Sequence, residues 1–373
     1  MTVKWSLCII ARNNEDVLPR TLECVKDFID EIIVVDTGST DKTIEVAKSY
    51  GAKIDHFEWI DDFGAARNYA FSLATGDWIM WLDTGDVLTQ ESQNAWVDIK
   101  NSPLLNDPIL EVVASPINRH FDEFGNVLTS GSSHARLLRR SANPVWVGAI
   151  HEQVRTDNDF TVHRPDAYVN DIDRDKQKHN ERNLRIIEGL LAEGDTTPRT
   201  KLLQGQELMA LARYEEAVTA YQEYINIEEE NKIYDALIGV ACCFRELGAD
   251  DNAHRALVHA IYADPLRAEA FFLVGQIYYE QKEFAKAIPF FQAILGASPP
   301  ITGTFILHYC YGFLAWERLA VSNLAIGRNQ QGMDALEQAI AMADPRTKER
   351  LSKIRASIVE FLDREDTSAY IPS

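Results

Sequence analysis

The stretch DEIIVVDTGSTDKTIEVAKSYGAKI, residues 30–54, reads as a strand, a turn, a helix and the start of a second strand. Its first run, EIIVVD, is apolar up to Asp36, which is typical of a strand buried in a sheet. The helical pattern that follows the turn ends at Gly51, a residue that commonly closes a helix. A strand, a helix and a strand in this order predict part of a parallel sheet that is covered by helices.

The same alternation extends outward from this stretch, from residue 3 to about residue 165. Further strands are predicted for VKWSLCIIA, AKIDHFEW and DWIMWLD, and helices for residues 17–28 and 64–75. In such sheets ligands collect at the carboxyl ends of the strands. The loops after Ala11, Asp36 and Asp83 are therefore expected to share one site.

Strands disappear after about residue 180, and a helical repeat begins. Four segments align: RYEEAVTAYQEYI, ADDNAHRALVHAI, EFAKAIPFFQAIL and RNQQGMDALEQAI. Ala217, Ala253 and Ala287 recur at steps of about 36 and 34 residues, the period of the tetratricopeptide repeat. SPPITGT, residues 298–304, is interpreted as an inserted loop. A generic helical bundle is the alternative interpretation.

These patterns predict three parts of the chain. An α/β domain with a mostly parallel, Rossmann-like sheet covers residues 1–175, a connecting helix covers residues 176–197, and an all-α repeat domain covers residues 198–373. The charged run DIDRDKQKHNERN, residues 171–183, extends into the connecting helix and is interpreted as a solvated helix face.

Composition narrows the class of protein. The formal net charge of −20 disfavours general binding to phosphate backbones without excluding a local basic groove. The five cysteines lack CxxC spacing and favour reduced thiols over zinc or disulfides. No apolar run approaches the roughly 20 residues of a membrane helix, and no leader pattern is visible, so a cytoplasmic protein without a membrane partner is expected. The oligomeric state is open, and a homo-oligomer is compatible with the sequence.

The segment WIMWLDTGDVL, residues 78–88, carries two carboxylates directly after a buried strand. Asp83 is expected at the mouth of the site, where the strand leaves the sheet. With Asp86 it could share a hard divalent cation that also bridges a diphosphate. A turn closed by aspartate side chains explains the same pattern.

Four linked motifs together resemble the family 2 glycosyltransferases, in the branch that carries tetratricopeptide repeats behind the catalytic domain. They are SLCIIARNNEDVLPRTLECV, DEIIVVDTGSTDKTIEVAKSYGAKI, HFEWIDDFGAARNYAFSLATGDWIMWLD and VGAIHEQV. The resemblance implies a nucleotide-sugar-binding fold of the glycosyltransferase A type and a metal, Mn²⁺ or Mg²⁺, that holds the donor diphosphate.

The resemblance also assigns roles to residues. It implies a catalytic base at Glu152, assisted by His151, and metal ligands at Asp83, Asp86 and His163. The residues that it places around the donor are Ala11, Arg12, Asn13, Glu15, Asp36, Asp62, Arg67, Asp83 and Arg136. An ion pair between Asp62 and Arg67 is the structural alternative for those two residues.

One position departs from the family. Where the usual run has carboxylates at its first and third positions, this chain has Asp83, Thr84, Gly85 and Asp86. Either Asp86 bends back to bind the metal, helped by the flexibility of Gly85, or metal binding is weakened, or the domain no longer catalyses transfer.

The expected activity is that of a hexosyltransferase. A hexose such as glucose would move from a UDP-sugar to a protein or peptide acceptor, with inversion and metal assistance. The repeats are expected to hold the acceptor, because stacked helix pairs form a concave surface. The alternatives are transfer to modified bases in phage-type DNA, and a non-catalytic repeat scaffold with a relic transferase domain.

Overall fold

The computed structural model describes residues 3–121, 127–158, 160–171, 176–229, 232–299, 307–343 and 345–363. The chain separates into two compact units, Met1–Ile186 and Ile187–Ser373. The boundary lies inside the helix predicted between the two domains. The predicted inserted loop lies mainly outside the described residues, since residues 300–306 are not among them.

The first unit is built on a mixed, mostly parallel sheet. Its strands are β1 Trp5–Ala11, β2 Glu31–Asp36, β3 Lys53–His56, β4 Trp78–Trp81, β5 Asp86–Val87, β6 Val112–Phe121, β7 Val127–Arg139, β8 Val145–Val147, β9 Gln153–Arg155, β10 Thr161–His163 and β11 Val169–Asp171. Within the described residues, nine strands form one sheet in the order β3-β2-β1-β4-β7-β6-β11-β5, with β10 beside β6, while β8 and β9 form a hairpin. The predicted α/β fold with a mostly parallel sheet is confirmed.

Helices cover both faces of the sheet in the first unit. They are α1 Leu18–Glu23, α2 Thr43–Ser49, α3 Phe63–Ser72 and α4 Gln90–Asn101, and the longer α5 Lys176–Ala192 follows. All seven residues of β1 are buried, because alternate side chains enter different cores. Trp5, Leu7 and Ile9 join one core, and Cys8 and Ile10 join the other.

Glu31, the first residue of β2, ties the amino ends of several strands together. Its carboxylate accepts hydrogen bonds from Ser6 on β1, from Lys53 on β3 and from the backbone and side chain of Thr75 before β4. Burial alone would raise the pKa of Glu31, but these donors lower it to about 2. The hydrogen bonds therefore favour the ionised form of Glu31 in the folded protein.

The second unit is helical throughout its described residues, apart from turns. Its helices after α5 are α6 Pro198–Ala210, α7 Tyr214–Ile227, α8 Tyr234–Glu246, α9 Asp250–Ala263, α10 Ala268–Glu280, α11 Phe284–Ala293, α12 Phe313–Ala325, α13 Asn329–Met342 and α14 Pro345–Asp363. The four segments aligned in the sequence correspond to α7, α9, α11 and α13. Each packs against the helix before it, so the repeating element is a helix pair.

Small residues allow these helix pairs to approach closely. Ala217, Ala253 and Ala287 are fully buried. A Cβ atom added to Gly205 or to Gly239 would lie 2.6 Å from the ring of Tyr221, so one tyrosine packs directly against two helix backbones. This contact explains why the repeat pattern uses glycine and alanine at fixed positions.

The five cysteines are free thiols. Burial is the largest influence on the pKa of Cys24 and of Cys242, and it raises each to about 11. Among the helices of the described residues, none is both long and apolar enough to cross a lipid bilayer.

The Glu31 contacts generate a prediction about stability and pH. The folded-state pKa of about 2 lies below the ordinary glutamate pKa of 4.5, so the stabilisation is complete above about pH 4.5 and is lost as the pH falls toward 2. Glu31→Gln is expected to lower the free energy of unfolding by about 1–2 kcal/mol near neutral pH. Urea unfolding at a series of pH values measures the difference, which should shrink on acidification. The exposed Glu45→Gln is the control, and equal effects of both changes would refute the prediction.

Candidate functional site

The carboxyl ends of the parallel strands lie at one edge of the sheet. Ala11 on β1 is in register with Asp36 on β2, and Asp36 is in register with His56 on β3. Strand β4 runs parallel to β1 on its other side and leads to Asp83 two residues after it ends. The loops after Ala11, Asp36 and Asp83 therefore leave the sheet at the same edge.

The loop after β1 is joined to the turn after β2 by hydrogen bonds. The backbone N–H of Asn13 donates to Ser39 Oγ at 3.1 Å, and Asn13 Oδ1 accepts from the Thr40 N–H at 2.8 Å. Glu15 Oε2 accepts from the Lys42 N–H at 2.8 Å. Asn13 has a φ of +53°, an uncommon backbone conformation that these contacts stabilise. Residues 11–15 and 36–42 thus form one connected surface at the edge of the sheet.

Asp36 lies buried at the base of this surface. Its carboxylate accepts from the backbone N–H groups of Gly38 and Ser39, and His56 Nδ1 lies 3.3 Å from Oδ2. Burial alone would raise the pKa of Asp36, but the hydrogen bonds from Ser39, Gly38 and His56 lower it below its usual value. The residue is therefore an ionised carboxylate that shapes the turn, and its predicted contact with the donor remains a prediction.

Arg67 joins two carboxylates from distant parts of the sequence. Its Nε donates to Glu152 Oε1 at 2.5 Å, and its Nη2 donates to Asp83 Oδ1 at 2.7 Å. Its Cζ lies 4.7 Å from the ring centroid of Trp81 and 5.0 Å from that of Trp146. Burial opposes the charged form, yet Asp83 and Glu152 raise the pKa of Arg67 above its usual value. We name Arg67, Asp83 and Glu152 the bridged carboxylate cluster.

Helix α3 holds the segment that carries Glu152. Phe63, in the first turn, donates its backbone N–H to Ala149 O at 2.8 Å. The side-chain amide of Asn68 bonds both the N–H and the carbonyl of Trp146, at 2.8 and 2.9 Å. A Cβ on Gly64 would lie 2.5 Å from the carbonyl oxygen of Gly148, so only glycine permits this approach. The segment 146–152 is therefore fixed at several points along one helix.

Asp62, predicted at the donor, is the N-cap residue of α3. Its carboxylate accepts from the Ala65 N–H at 2.8 Å, the contact that satisfies a free backbone donor at a helix start. Arg67 forms its ion pairs with Asp83 and Glu152, so the alternative pairing of Asp62 with Arg67 is not the arrangement in the structure.

Asp86 is turned into the protein. It is 1% exposed and pairs with Arg136, whose side chain is fully buried, at 2.9 Å. The same Asp86 oxygen, Oδ2, accepts the Asp83 N–H at 2.9 Å. Gly85 has a φ of +93°, which favours glycine, and its N–H donates to Thr21 Oγ1. Gly85 thus turns the chain so that Asp86 faces Arg136, whereas Asp83 remains at the mouth with its side chain 28% exposed.

Arg136 stacks on Trp81, with its Cζ 3.9 Å from the ring centroid. Burial lowers the pKa of Arg136, and the neighbouring Asp86 opposes that effect. Its predicted contact with the donor finds no support in this placement, because the side chain is fully buried.

The two predicted histidines lie at different places. His151 is exposed next to Glu152 and has a φ of +48°. His163 is exposed on β10, where its Nδ1 lies 3.3 Å from Ser133 Oγ. Within the part of the chain that the structure describes, no group of three or more His, Cys, Asp or Glu side chains could hold a metal ion. Asp83, Asp86 and His163 are therefore not brought together as one ligand set.

Trp81 and Trp146 pack against Arg67, and no sequence pattern pointed to either of them. Their rings contact each other edge to face, with centroids 4.9 Å apart. Trp146 lies between two valines in NPVWVG, a short segment with no helical period. A single aromatic residue in such a segment is only weak evidence for a functional position. Only the fold shows that the two tryptophans pack against the same guanidinium.

Comparisons with known proteins agree with this architecture. Residues 6–93 match the sequence model of the family described as Glycosyl transferase family 2. Residues 198–231 and 245–300 match two models described as Tetratricopeptide repeat. The chain therefore has a family 2 glycosyltransferase domain in its first unit and tetratricopeptide repeats in its second, as the resemblance predicted.

Individual relatives cover parts of the chain. A TPR repeat-containing protein of Synechococcus elongatus is 42% identical over 149 residues, 40% of this chain and 35% of the relative. The SPbeta prophage-derived glycosyltransferase SunS of Bacillus subtilis is 26% identical over 243 residues, 62% of this chain and 56% of the relative. The chain thus spans between about a third and somewhat more than half of the length of these relatives.

Among solved structures, residues 1–349 of S. aureus TarS in complex with UDP are 15% identical to this chain. The match covers 69% of this chain and 91% of that chain, with a TM-score of 0.40. A TM-score this low carries no functional conclusion.

The different surroundings of the two aspartates generate a prediction. Asp86→Asn leaves a buried, charged Arg136 without its ionised partner, and we expect a loss of about 3 kcal/mol in the free energy of unfolding. Asp83→Asn is expected to cost at most about 1 kcal/mol, because Asp83 is partly exposed and Arg67 retains Glu152. Urea unfolding of both variants measures this order, and a larger loss for Asp83→Asn would contradict the assignment.

The contact at Gly64 generates a second prediction. Gly64→Ala is expected to displace residues 148–152, because its Cβ would overlap the Gly148 carbonyl oxygen, which belongs to the backbone. A loss of about 1–3 kcal/mol in stability is expected for such overpacking. Gly189→Ala in α5 is the matched control, since an added Cβ there meets nothing within 4 Å. Thermal unfolding of the two variants compares them, and equal melting temperatures would refute the close approach.

Proposed function

We propose that this protein transfers a hexose from a UDP-sugar to a protein or peptide acceptor, with inversion at the anomeric carbon. The observation that carries the proposal is the bridged carboxylate cluster. It joins Asp83, which follows β4 within the matched residues 6–93, to Glu152 in the same unit. Ligands of open α/β sheets bind at this edge.

The donor would bind along the edge formed by residues 11–15 and 36–42. Arg12, Asn13 and Glu15 lie on this connected surface, with Ala11 and Asp36 buried at its base, and a nucleoside would bind there next to the strand ends. The diphosphate would then lie toward Asp83, the neighbouring strand end. Asp62 supports this edge indirectly, since it caps the helix that carries Arg67.

Glu152 would act as the general base. The acceptor's nucleophilic atom forms a bond to the anomeric carbon and loses its proton to Glu152, while the bond from that carbon to the diphosphate oxygen breaks and the diphosphate leaves with the electron pair. Arg67 Nε donates a hydrogen bond to Glu152 Oε1 and so directs the carboxylate that would take the proton. His151, adjacent and exposed, lies on the same segment and would contact the reacting groups.

A divalent cation fits this site only in part. Asp83 is the predicted ligand with an accessible carboxylate, whereas Asp86 is held by Arg136 and His163 lies on β10. Mg²⁺ is commonly held by one or two carboxylates together with substrate phosphates. We propose that Asp83 alone contacts a Mg²⁺ or Mn²⁺ ion that accompanies the donor, and that the ion, when bound, neutralises diphosphate charge.

The repeat unit would bind the acceptor. Stacked helix pairs provide a long binding surface for extended chains, and the second unit has four such pairs within its described residues, α6 with α7, α8 with α9, α10 with α11 and α12 with α13. The net charge of −20 disfavours the alternative acceptor, a modified base in DNA.

A non-catalytic scaffold is the second candidate function. It is favoured by Gly85 and by the buried Asp86, which together leave one accessible carboxylate where the family uses two. Donor turnover separates the two candidates, because a scaffold with a relic domain would release no sugar from any donor.

The test of the proposed function is UDP release from UDP-sugars, measured with Mn²⁺ and a library of peptide acceptors. Glu152→Gln is expected to lower kcat by about 10²–10⁴-fold, because the amide retains its contact with Arg67 but cannot take a proton. Binding of UDP by calorimetry should be unchanged. Glu45→Gln, an exposed carboxylate change on α2, is the matched control and should retain full turnover. Full turnover of Glu152→Gln would refute the assignment of the base, and wild-type protein that binds UDP without any turnover would favour the scaffold.

A further inference from the structure

We infer that Arg67 is a positioning residue that fixes Glu152 relative to Asp83, a different role from the diphosphate contact expected from the sequence. This inference rests on the proposed function, which supplies the reaction in which Glu152 serves as base. In this role Arg67 sets the distance between Asp83, at the strand end where the donor would bind, and Glu152, on the segment that would meet the acceptor.

The hydrogen bonds of Arg67 differ from those of a typical phosphate-binding arginine. An arginine that binds phosphate commonly directs two parallel N–H groups at one anion. Here Nε is bonded to Glu152 and Nη2 to Asp83, at 2.5 and 2.7 Å, so two donors are divided between two carboxylates. The guanidinium is already engaged by two negative charges before any donor binds.

The surroundings of Arg67 also favour a positioning role. The side chain is 8% exposed and packs against the rings of Trp81 and Trp146. The two ring centroids are only 4.9 Å apart, so both rings pack on the same side of the guanidinium, and the low exposure leaves little of the group open to a phosphate. Such packing favours a fixed geometry over a changing contact.

The residue after Arg67, Asn68, holds the same segment by its backbone. Asn68 follows Arg67 on α3 and bonds both backbone groups of Trp146, six residues before Glu152. Arg67 thus holds one end of this segment through the side chain of Glu152, and Asn68 holds the other end through the backbone of Trp146. Since Trp146 also covers Arg67, each contact supports the other.

The consequence for the reaction is geometric. A general base acts only within hydrogen-bond reach of the proton that it takes, and a displacement of about 1 Å can cost about 10²-fold in rate. Without Arg67, Glu152 would keep its carboxylate but lose the contact that directs it. The loss should therefore appear in kcat and in the mobility of residues 148–153, while the nucleotide surface at residues 11–15 and 36–42 remains intact.

The test uses the full chain and compares Arg67→Met with Arg139→Met. Arg139 is a matched control because it also stacks on a tryptophan, with its Cζ 4.5 Å from the Trp78 ring centroid, but bonds only backbone carbonyls. Hydrogen–deuterium exchange of residues 148–153 is expected to accelerate about tenfold or more in Arg67→Met and to stay unchanged in Arg139→Met. The Kd for UDP with Mg²⁺ is expected to change less than about threefold, and kcat to fall about 10²-fold.

Two further variants keep the inference testable. Arg67→Lys retains a positive charge at the same position but cannot bridge both carboxylates, so it should also show faster exchange. This variant tests the inference if Arg67→Met does not fold. Glu152→Gln should lose kcat yet keep the slow exchange, because its amide oxygen still accepts from Arg67 Nε.

Unchanged exchange at residues 148–153 in both Arg67 variants would overturn the inference. A Kd for UDP that weakens more than about tenfold without faster exchange would overturn it as well and would assign Arg67 to the diphosphate. If the wild-type protein binds no UDP, the proposed function fails, whereas the exchange measurement still decides whether Arg67 positions the segment.

Discussion

The parallel pairing of β1 with β2 on one side and β4 on the other is the constraint on which the rest of the first unit depends. A strand buried on both faces and hydrogen-bonded on both edges cannot slip by one residue, since every side chain would enter the wrong core. The carboxyl ends of the three strands are therefore fixed at one edge. That edge brings Asp36 and Asp83 to the same side of the sheet although they are far apart in sequence.

Burial distinguishes the two aspartates that follow β4, Asp83 and Asp86. Two aspartates three positions apart have opposite surroundings, because the positive φ of Gly85 turns one of them inward. Asp86 and Arg136 form a buried pair beneath the turn, while Asp83 remains accessible and shares Arg67 with Glu152. A carboxylate held in a buried ion pair is costly to withdraw. Gly85, between the two aspartates, therefore has a conformational role.

Helix α3 connects the strand-end edge of the sheet to the segment of the proposed base. Asp62 caps it, Gly64 permits the approach of the Gly148 carbonyl, and Arg67 and Asn68 hold residues 146–152. The second unit uses the same device of small residues at close contacts, where Gly205 and Gly239 accommodate the ring of Tyr221. In both units glycine marks the places where one element touches the backbone of another.

The sequence by itself determined the class of the fold, the strands β1 to β4 and the repeating helices, because apolar periodicity reflects burial directly. It also drew attention to Asp36, Asp83 and Glu152 through their positions at strand ends and in recognised motifs. Only the tertiary structure decided that Asp86 pairs with Arg136, and that Arg67 bridges Asp83 and Glu152 while it packs against Trp81 and Trp146. These outcomes depend on which side chains meet across long sequence separations and on the sign of one backbone angle, and neither is encoded in local periodicity.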